Sequence, residues 1–110
     1  MNWIKLDNES QLSDITKNSY TKPQLIFKHS SRCSVSAVAL SRLQNHLPEA
    51  PEIDYYFLDL IAYRSLSNKI AEQFSVYHES PQVLLIRNGE CVYDESHLGI
   101  SADDIVEQAL

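Results

Sequence analysis

The sequence predicts an α/β fold, with a central mixed β-sheet and helices on both faces. Short apolar runs of strand character alternate along the chain with stretches of helical period. Pro23, Pro48 and Pro51 break the chain between such segments. Near the end, two strand-like runs flank Asn88-Gly89, the dipeptide of a two-residue hairpin turn. The element order is β-α-β-α-β-α-β-β-α. Strands separated by helices imply parallel pairing with right-handed crossovers, and the hairpin adds antiparallel strands to the same sheet.

Trp3-Ile4-Lys5-Leu6 reads as a short first strand. Asn8 with Gln11 has the spacing of a capping box, and Leu12 and Ile15 follow at helical spacing. Gln24-Leu25-Ile26-Phe27-Lys28 is an apolar run of buried-strand type. From Cys33 onward, Ser36, Leu40, Leu43 and Leu47 form one helical stripe, ended by Pro48 and Pro51. Ile53 to Leu60, rich in aromatic and branched residues, is a strand. Leu66, Ile70, Ala71 and Phe74 form a second stripe, with Ser65 as its expected N-cap. Val83 to Ile86 and Glu90 to Tyr93 are the hairpin strands, with Arg87 facing Glu90 and Ile86 facing Cys91. Ser101 and Asp104 have capping-box spacing, Ile100 and Ile105 suit a hydrophobic staple, and a last helix runs to Leu110.

A chain of 110 residues has room for a single domain, 1–110. Its net charge of −6 argues against phosphate-backbone binding as its main role, so no nucleic-acid partner is expected. No apolar run approaches the roughly 20 residues needed to span a bilayer, so no membrane association is expected. The start, MNWIKLDNES, lacks the charged and apolar regions of a signal peptide. With two cysteines a disulfide framework is not expected, and a cytoplasmic, reducing location follows as the default.

Chemistry concentrates in KHSSRCSVSAVAL, Lys28 to Leu40, where one thiol sits between a strand-like and a helix-like run. The first amides of a helix lack intrahelical partners and carry the positive end of the dipole. A cysteine there, or beside a cation, has its pKa lowered to between about 3.5 and 7.5. Cys33 has the helix start and the neighbouring Arg32. Ser30, Ser31 and Ser34 offer hydroxyl donors, and Ser36, one turn on, can face the sulfur. Serine at position 36 removes the resolving partner of a C-x-x-C pair, so Cys33-Ser34-Val35-Ser36 cannot close an internal disulfide. A thiolate here can attack a mixed disulfide, but an external small thiol must release it. Packing is the alternative reading, since unpaired cysteine is among the most buried residue types.

Cys91 falls near the end of the sheet away from Pro81 and reads as a buried structural thiol. The spacing of His29, His46, His78 and His97 matches no short metal-ligand motif, and no metal is expected. His29 and His78 lie within a few residues of Cys33 and Pro81. Tyr55, Tyr56 and Phe57 read as core.

HSSRCSVS, followed by LDLIAYRSLSNKIAEQF and HESPQVLLIRNGECVYDESH, resembles the thioredoxin-like YtxJ family of monothiol bacilliredoxins. The resemblance covers nearly the whole chain. It implies a thioredoxin-like fold with Cys33 as the reactive thiol, and Ser80-Pro81 as a cis-proline segment whose backbone holds the attacked disulfide. Without it, Pro81 reads as a strand-entry proline. It also implies bacillithiol as co-substrate with no bound cofactor, bacillithiolated proteins as clients, and action as a monomer or weak dimer. Some members carry proline after the cysteine, where this chain has Ser34. The malate group of bacillithiol suits a nearby cation: Arg32 is adjacent in sequence, and Arg64 follows the third strand, where a solvated loop charge is the plainer reading.

Two other functions fit parts of the pattern. A redox-inert thioredoxin-fold binding or chaperone-like module would leave the Cys33 pKa near about 8.5. An iron–sulfur carrier of monothiol-glutaredoxin type would need glycines beside the thiol, whereas Gly89 and Gly99 adjoin neither end of the motif. No Cys33–Cys91 disulfide is expected within a folded monomer. Mild oxidation followed by mass spectrometry should leave that crosslink absent, and finding it in high yield would overturn the placement of Cys91.

Overall fold

The computed structural model describes residues 1–48 and 52–110. The strands are β1 (Ile4–Lys5), β2 (Gln24–His29), β3 (Asp54–Asp59), β4 (Gln82–Arg87) and β5 (Glu90–Ser96). The helices are α1 (Ser10–Asn18), α2 (Ser34–His46), α3 (Arg64–Phe74) and α4 (Ala102–Ala109), with a 3-10 turn at His97–Gly99. Among the described residues the strands form one sheet in the order β1-β3-β2-β4-β5. The first three run parallel, and β4 and β5 are each antiparallel to their predecessor. This is the mixed sheet expected from the sequence.

Strand alternation sorts the core into two layers. Leu25, Phe27, Tyr55, Val83 and Leu85 pack with Ala39, Leu43 and Leu47 of the α2 segment and with Ile105 of α4. Ile26, Tyr56, Leu58, Leu84 and Ile86 pack on the other face with Leu12 and Ile15 of α1 and Leu66, Ile70 and Phe74 of α3. No helix among the described residues is long and apolar enough to cross a membrane.

Several boundaries differ from expectation. β1 is only two residues long; the Trp3 ring before it packs in an aromatic cluster with Phe27, Tyr55 and Phe57 at centroid distances of 5.7, 6.0 and 5.8 Å. The α2 stripe runs through Ser36, Ala39 and Leu43, with Leu40 only partly buried. Pro51 lies outside the described residues. Ser65 does not cap α3, which begins one residue earlier at Arg64. Asp59 organises that entry instead: its Oδ1 accepts from the N–H of Ile61 (3.1 Å) and Ala62 (3.4 Å), and its carbonyl from Tyr63 N–H (2.9 Å). At α1, Gln11 Oε1 accepts from Asn8 N–H (3.1 Å), while Asn8 Oδ1 takes Ser10 N–H (2.8 Å) rather than that of Gln11. Ser101 Oγ accepts from Asp104 N–H at 3.4 Å, half of the expected box. β5 runs three residues past Tyr93, to Ser96.

Register decides what gathers at each end of the sheet. His29 pairs with Asp59, and Lys28 with both Leu58 and Gln82. The loops that follow β2 and β3, and the segment that precedes β4, therefore meet at one pole. Leu60 N–H bonds the His29 carbonyl at 2.9 Å, and His97 N–H bonds the Pro81 carbonyl at 2.9 Å. The opposite pole holds the hairpin turn. Asn88 and Gly89 there have φ of 53° and 79°, both in the left-handed region that such a turn demands.

One residue breaks the apolar character of β2. Lys28 is completely buried on the α1/α3 face, and burial lowers its pKa from 10.5 to about 8. Between those values the unfolded chain holds a proton here that the folded chain has released. Stability contributed by this group therefore rises with pH. Urea titrations of wild type and Lys28→Met at pH 7 and pH 10 should move their stability difference toward wild type at high pH by on the order of 2 kcal/mol. A difference independent of pH would refute the buried-cation assignment.

Candidate functional site

The pole that collects the three loops also holds Cys33. Its backbone is extended (φ −111°, ψ 120°), making it the N-cap of α2. Its N–H donates to the Ser30 carbonyl (3.1 Å) and its carbonyl accepts from Ala37 N–H (3.2 Å), which closes the first turn. The thiol is a free one and half-buried. Its pKa is lowered chiefly by the backbone N–H of Ser36, opposed by partial burial and aided by the N–H of Val35 and the Ser36 hydroxyl. These are the unpartnered first-turn amides that any helix start offers, here directed at sulfur.

Ser36 is fully buried, and its Oγ accepts from Ser30 N–H at 3.3 Å. One side chain thus braces the loop and lends its hydroxyl to the sulfur. Arg32 and Ser34 are exposed. Main-chain N–H groups of the first turn, with the Ser36 hydroxyl, favour the thiolate.

The Ser80–Pro81 peptide bond is cis, as the resemblance implies. Pro81 is buried and leads directly into β4 beside the end of β2. Ser80 Oγ is shielded from solvent and lacks a hydrogen-bond partner. His29, at the end of β2, packs at a tilt against Phe27 and Phe57, with ring centroids 5.7 and 5.2 Å away. Burial lowers its pKa, against the opposing pull of Asp59. His97 pairs with Glu79 at 3.0 Å. His46 ends α2, beside a surface cavity lined by Arg42 and Leu98. Among the described residues no three His, Cys, Asp or Glu side chains converge as a metal site.

Sequence reasoning missed a polar cluster beneath this pole. Lys28 Nζ donates to the Ser67 carbonyl at 3.2 Å and lies 3.3 Å from His78 Nδ1. Ser67 Oγ is 3.1 Å from the same nitrogen. The available signal was a lysine inside a run otherwise suited to burial, since lysine is almost never fully buried without a partner.

Cys91 faces Ile86 and Arg87 faces Glu90, as the turn predicts, with a bulge between Leu85 and Ile86. The sulfur is half-buried rather than enclosed, and donates to the Tyr93 carbonyl at 3.3 Å. Burial pushes its pKa up to about 11. About 13 Å of strand separates Gln82 from Ile86 at ~3.3 Å per residue, so the two thiols occupy opposite ends of the sheet.

A solitary thiol capping a helix beside a cis-proline segment defines a thiol-redox protein of thioredoxin-like fold. The chain belongs to the monothiol bacilliredoxin BrxC family, whose model matches residues 4–105. Among solved structures, it is similar to a chain described as a candidate oxidoreductase with a thioredoxin fold. The two are 32% identical, with a TM-score of 0.83, over 96% of this chain and 91% of that one. Fasciola hepatica thioredoxin has the same fold at 15% identity and a TM-score of 0.71, covering 96% and 94%. Chlamydomonas reinhardtii thioredoxin f2 does so at 14% identity and 0.72, covering 96% and 92%.

The two thiols should separate in reactivity. Mass-resolved iodoacetamide labelling at pH 7 should modify Cys33 well before Cys91. Ser36→Ala removes a hydroxyl donor and should raise the Cys33 pKa, slowing its labelling at pH 6. Equal labelling of the two cysteines, or an unchanged rate in Ser36→Ala, would contradict the electrostatics described.

Proposed function

We propose that this protein removes low-molecular-weight thiol caps from client proteins by thiol–disulfide exchange at Cys33, with bacillithiol as the thiol. The observation that carries the reading is Cys33 at the N-cap of α2, where main-chain N–H groups favour the thiolate. The thiolate is the attacking species in such exchange.

Two exchanges make a cycle. The Cys33 thiolate attacks the cap sulfur of a bacillithiolated client, and the S–S bond to the client breaks. The client cysteine leaves as a thiolate and takes a proton from water. Cys33 then carries the cap. A second bacillithiol, as its thiolate, attacks the cap sulfur, and Cys33 leaves as a thiolate with bacillithiol disulfide as the other product. Cys33 starts and ends reduced: the client sulfur is reduced to a thiol, the incoming bacillithiol is oxidised, and the cap sulfur stays at the disulfide level throughout.

Ser36 stands where a C-x-x-C pair has its second cysteine, so no internal resolving thiol competes with the external one. In this reading Ser36 supports the Cys33 thiolate, and Arg32 and Ser34 form the exposed rim that meets the client. Ser80 and Pro81 hold the attacked disulfide through the backbone. Bacillithiol is a co-substrate rather than a resident cofactor. A reducing cytoplasm supplies both the thiol and the clients, and the protein acts as a monomer or weak dimer.

A purified client-model mixed disulfide with bacillithiol tests this. Wild type and Cys91→Ser should release the cap, and Cys33→Ser should not. Equal inactivity of wild type and Cys33→Ser sinks the exchange reading. Client binding that survives Cys33→Ser, with slow Cys33 alkylation at pH 6, would favour a redox-inert binding module instead.

A further inference from the structure

Asn88-Gly89 joins β4 to β5 at the pole opposite Cys33. The dipeptide suits its turn, and it also carries a reaction of its own. The Gly89 nitrogen can close a five-membered ring with Cγ of the Asn88 side chain, and no side chain on Gly89 crowds that approach. Asn88 is exposed, so water reaches it.

The fold holds the turn away from this reaction. Gly89 N–H donates to Ser19 Oγ at 2.9 Å, and Asn88 N–H donates to the Ser19 carbonyl at 3.0 Å. Ser19 is buried at the end of α1. Its hydroxyl proton goes to the Thr16 carbonyl at 2.6 Å, which leaves an oxygen lone pair for Gly89. One residue thus grips both N–H groups of the turn. The glycine has no ready substitute: its φ is 79°, and a Cβ there would come within 2.7 Å of the Tyr20 phenol oxygen. The turn therefore keeps the pair most prone to ring closure, and closure requires the hairpin to lift from α1.

We propose that Asn88 is a site of spontaneous deamidation, and that Ser19 guards it by tying the reaction to undocking of the hairpin. Hydroxide takes the Gly89 N–H proton, and the nitrogen attacks Asn88 Cγ. The N–Cγ bond forms, the Cγ–Nδ2 bond breaks, and Nδ2 leaves as ammonia with a proton from water, which restores the hydroxide. A second water then opens the ring. Addition at Cγ leaves aspartate. Addition at the main-chain carbonyl leaves isoaspartate, with the backbone routed through the side chain. One water is consumed and one ammonia released, with no oxidation. Either product adds a carboxylate to a chain of net charge −6. The isoaspartyl product also lengthens the turn that pairs Arg87 with Glu90. This chemistry is independent of Cys33.

The test incubates full-length protein at pH 8, folded and in concentrated urea, and follows each asparagine by peptide mass spectrometry. In urea, Asn88 should convert ahead of the other asparagines, none of which precedes a glycine. Folded wild type should convert at Asn88 about 30-fold more slowly than in urea, from the two bonds to Ser19. Ser19→Ala keeps the main-chain bond and loses that of the hydroxyl, so its folded form should convert about 5-fold faster than folded wild type. Equal rates for wild type with and without urea would refute the guard, and this comparison needs no variant should Ser19→Ala misfold. Asn88 converting no faster than the other asparagines in urea would refute the site. An unchanged rate in folded Ser19→Ala would remove Ser19 from the protection.

Discussion

The first-turn amides of α2 are the constraint on which the site depends. A helix start leaves N–H groups without partners, and here those of Ser36 and Val35 meet a sulfur. The arrangement needs a residue of extended backbone at the cap, and Cys33 has it. It also needs the loop before the helix to be held in place. Ser36 does that through Ser30, and the sheet does it through the pairing of His29 with Asp59. Removing the Ser36 oxygen would leave Ser30 N–H without its bond, so local stability and thiol electrostatics share one atom.

The pole is an outcome of topology as much as of any motif. Parallel β2 and β3 end together, and antiparallel β4 begins there. Three chain segments far apart in sequence therefore reach one patch. Ligand sites of open α/β sheets gather at strand carboxyl ends for the same reason. Two core layers flank the sheet, so the strands that carry these loops are supported from both sides.

Local patterning made much of this legible. Alternating strand and helix periods gave the element order, and Asn88-Gly89 gave the hairpin with its register. The junction of Cys33 was legible because a change of period marks a helix start. What stayed hidden depends on direction or on contacts across the fold. Arg32 is next to the thiol in sequence, but the sequence does not show that it is exposed or that the Ser36 and Val35 N–H groups meet the sulfur. Ser65 has the right chemistry for a cap, but Asp59 organises that turn from the preceding strand. Lys28 looked like a strand end, whereas its partners, Ser67 and His78, lie 39 and 50 residues away.

The placement of the two sulfurs at opposite ends of β4 sets how the protein keeps time. An adduct on Cys33 has no neighbour within the molecule to displace it, and Cys91 holds its proton. The lifetime of that adduct is then governed from outside, by how much reduced thiol surrounds the protein. Under the proposed exchange, such a molecule would serve as a gauge, the fraction capped following the state of the surrounding pool.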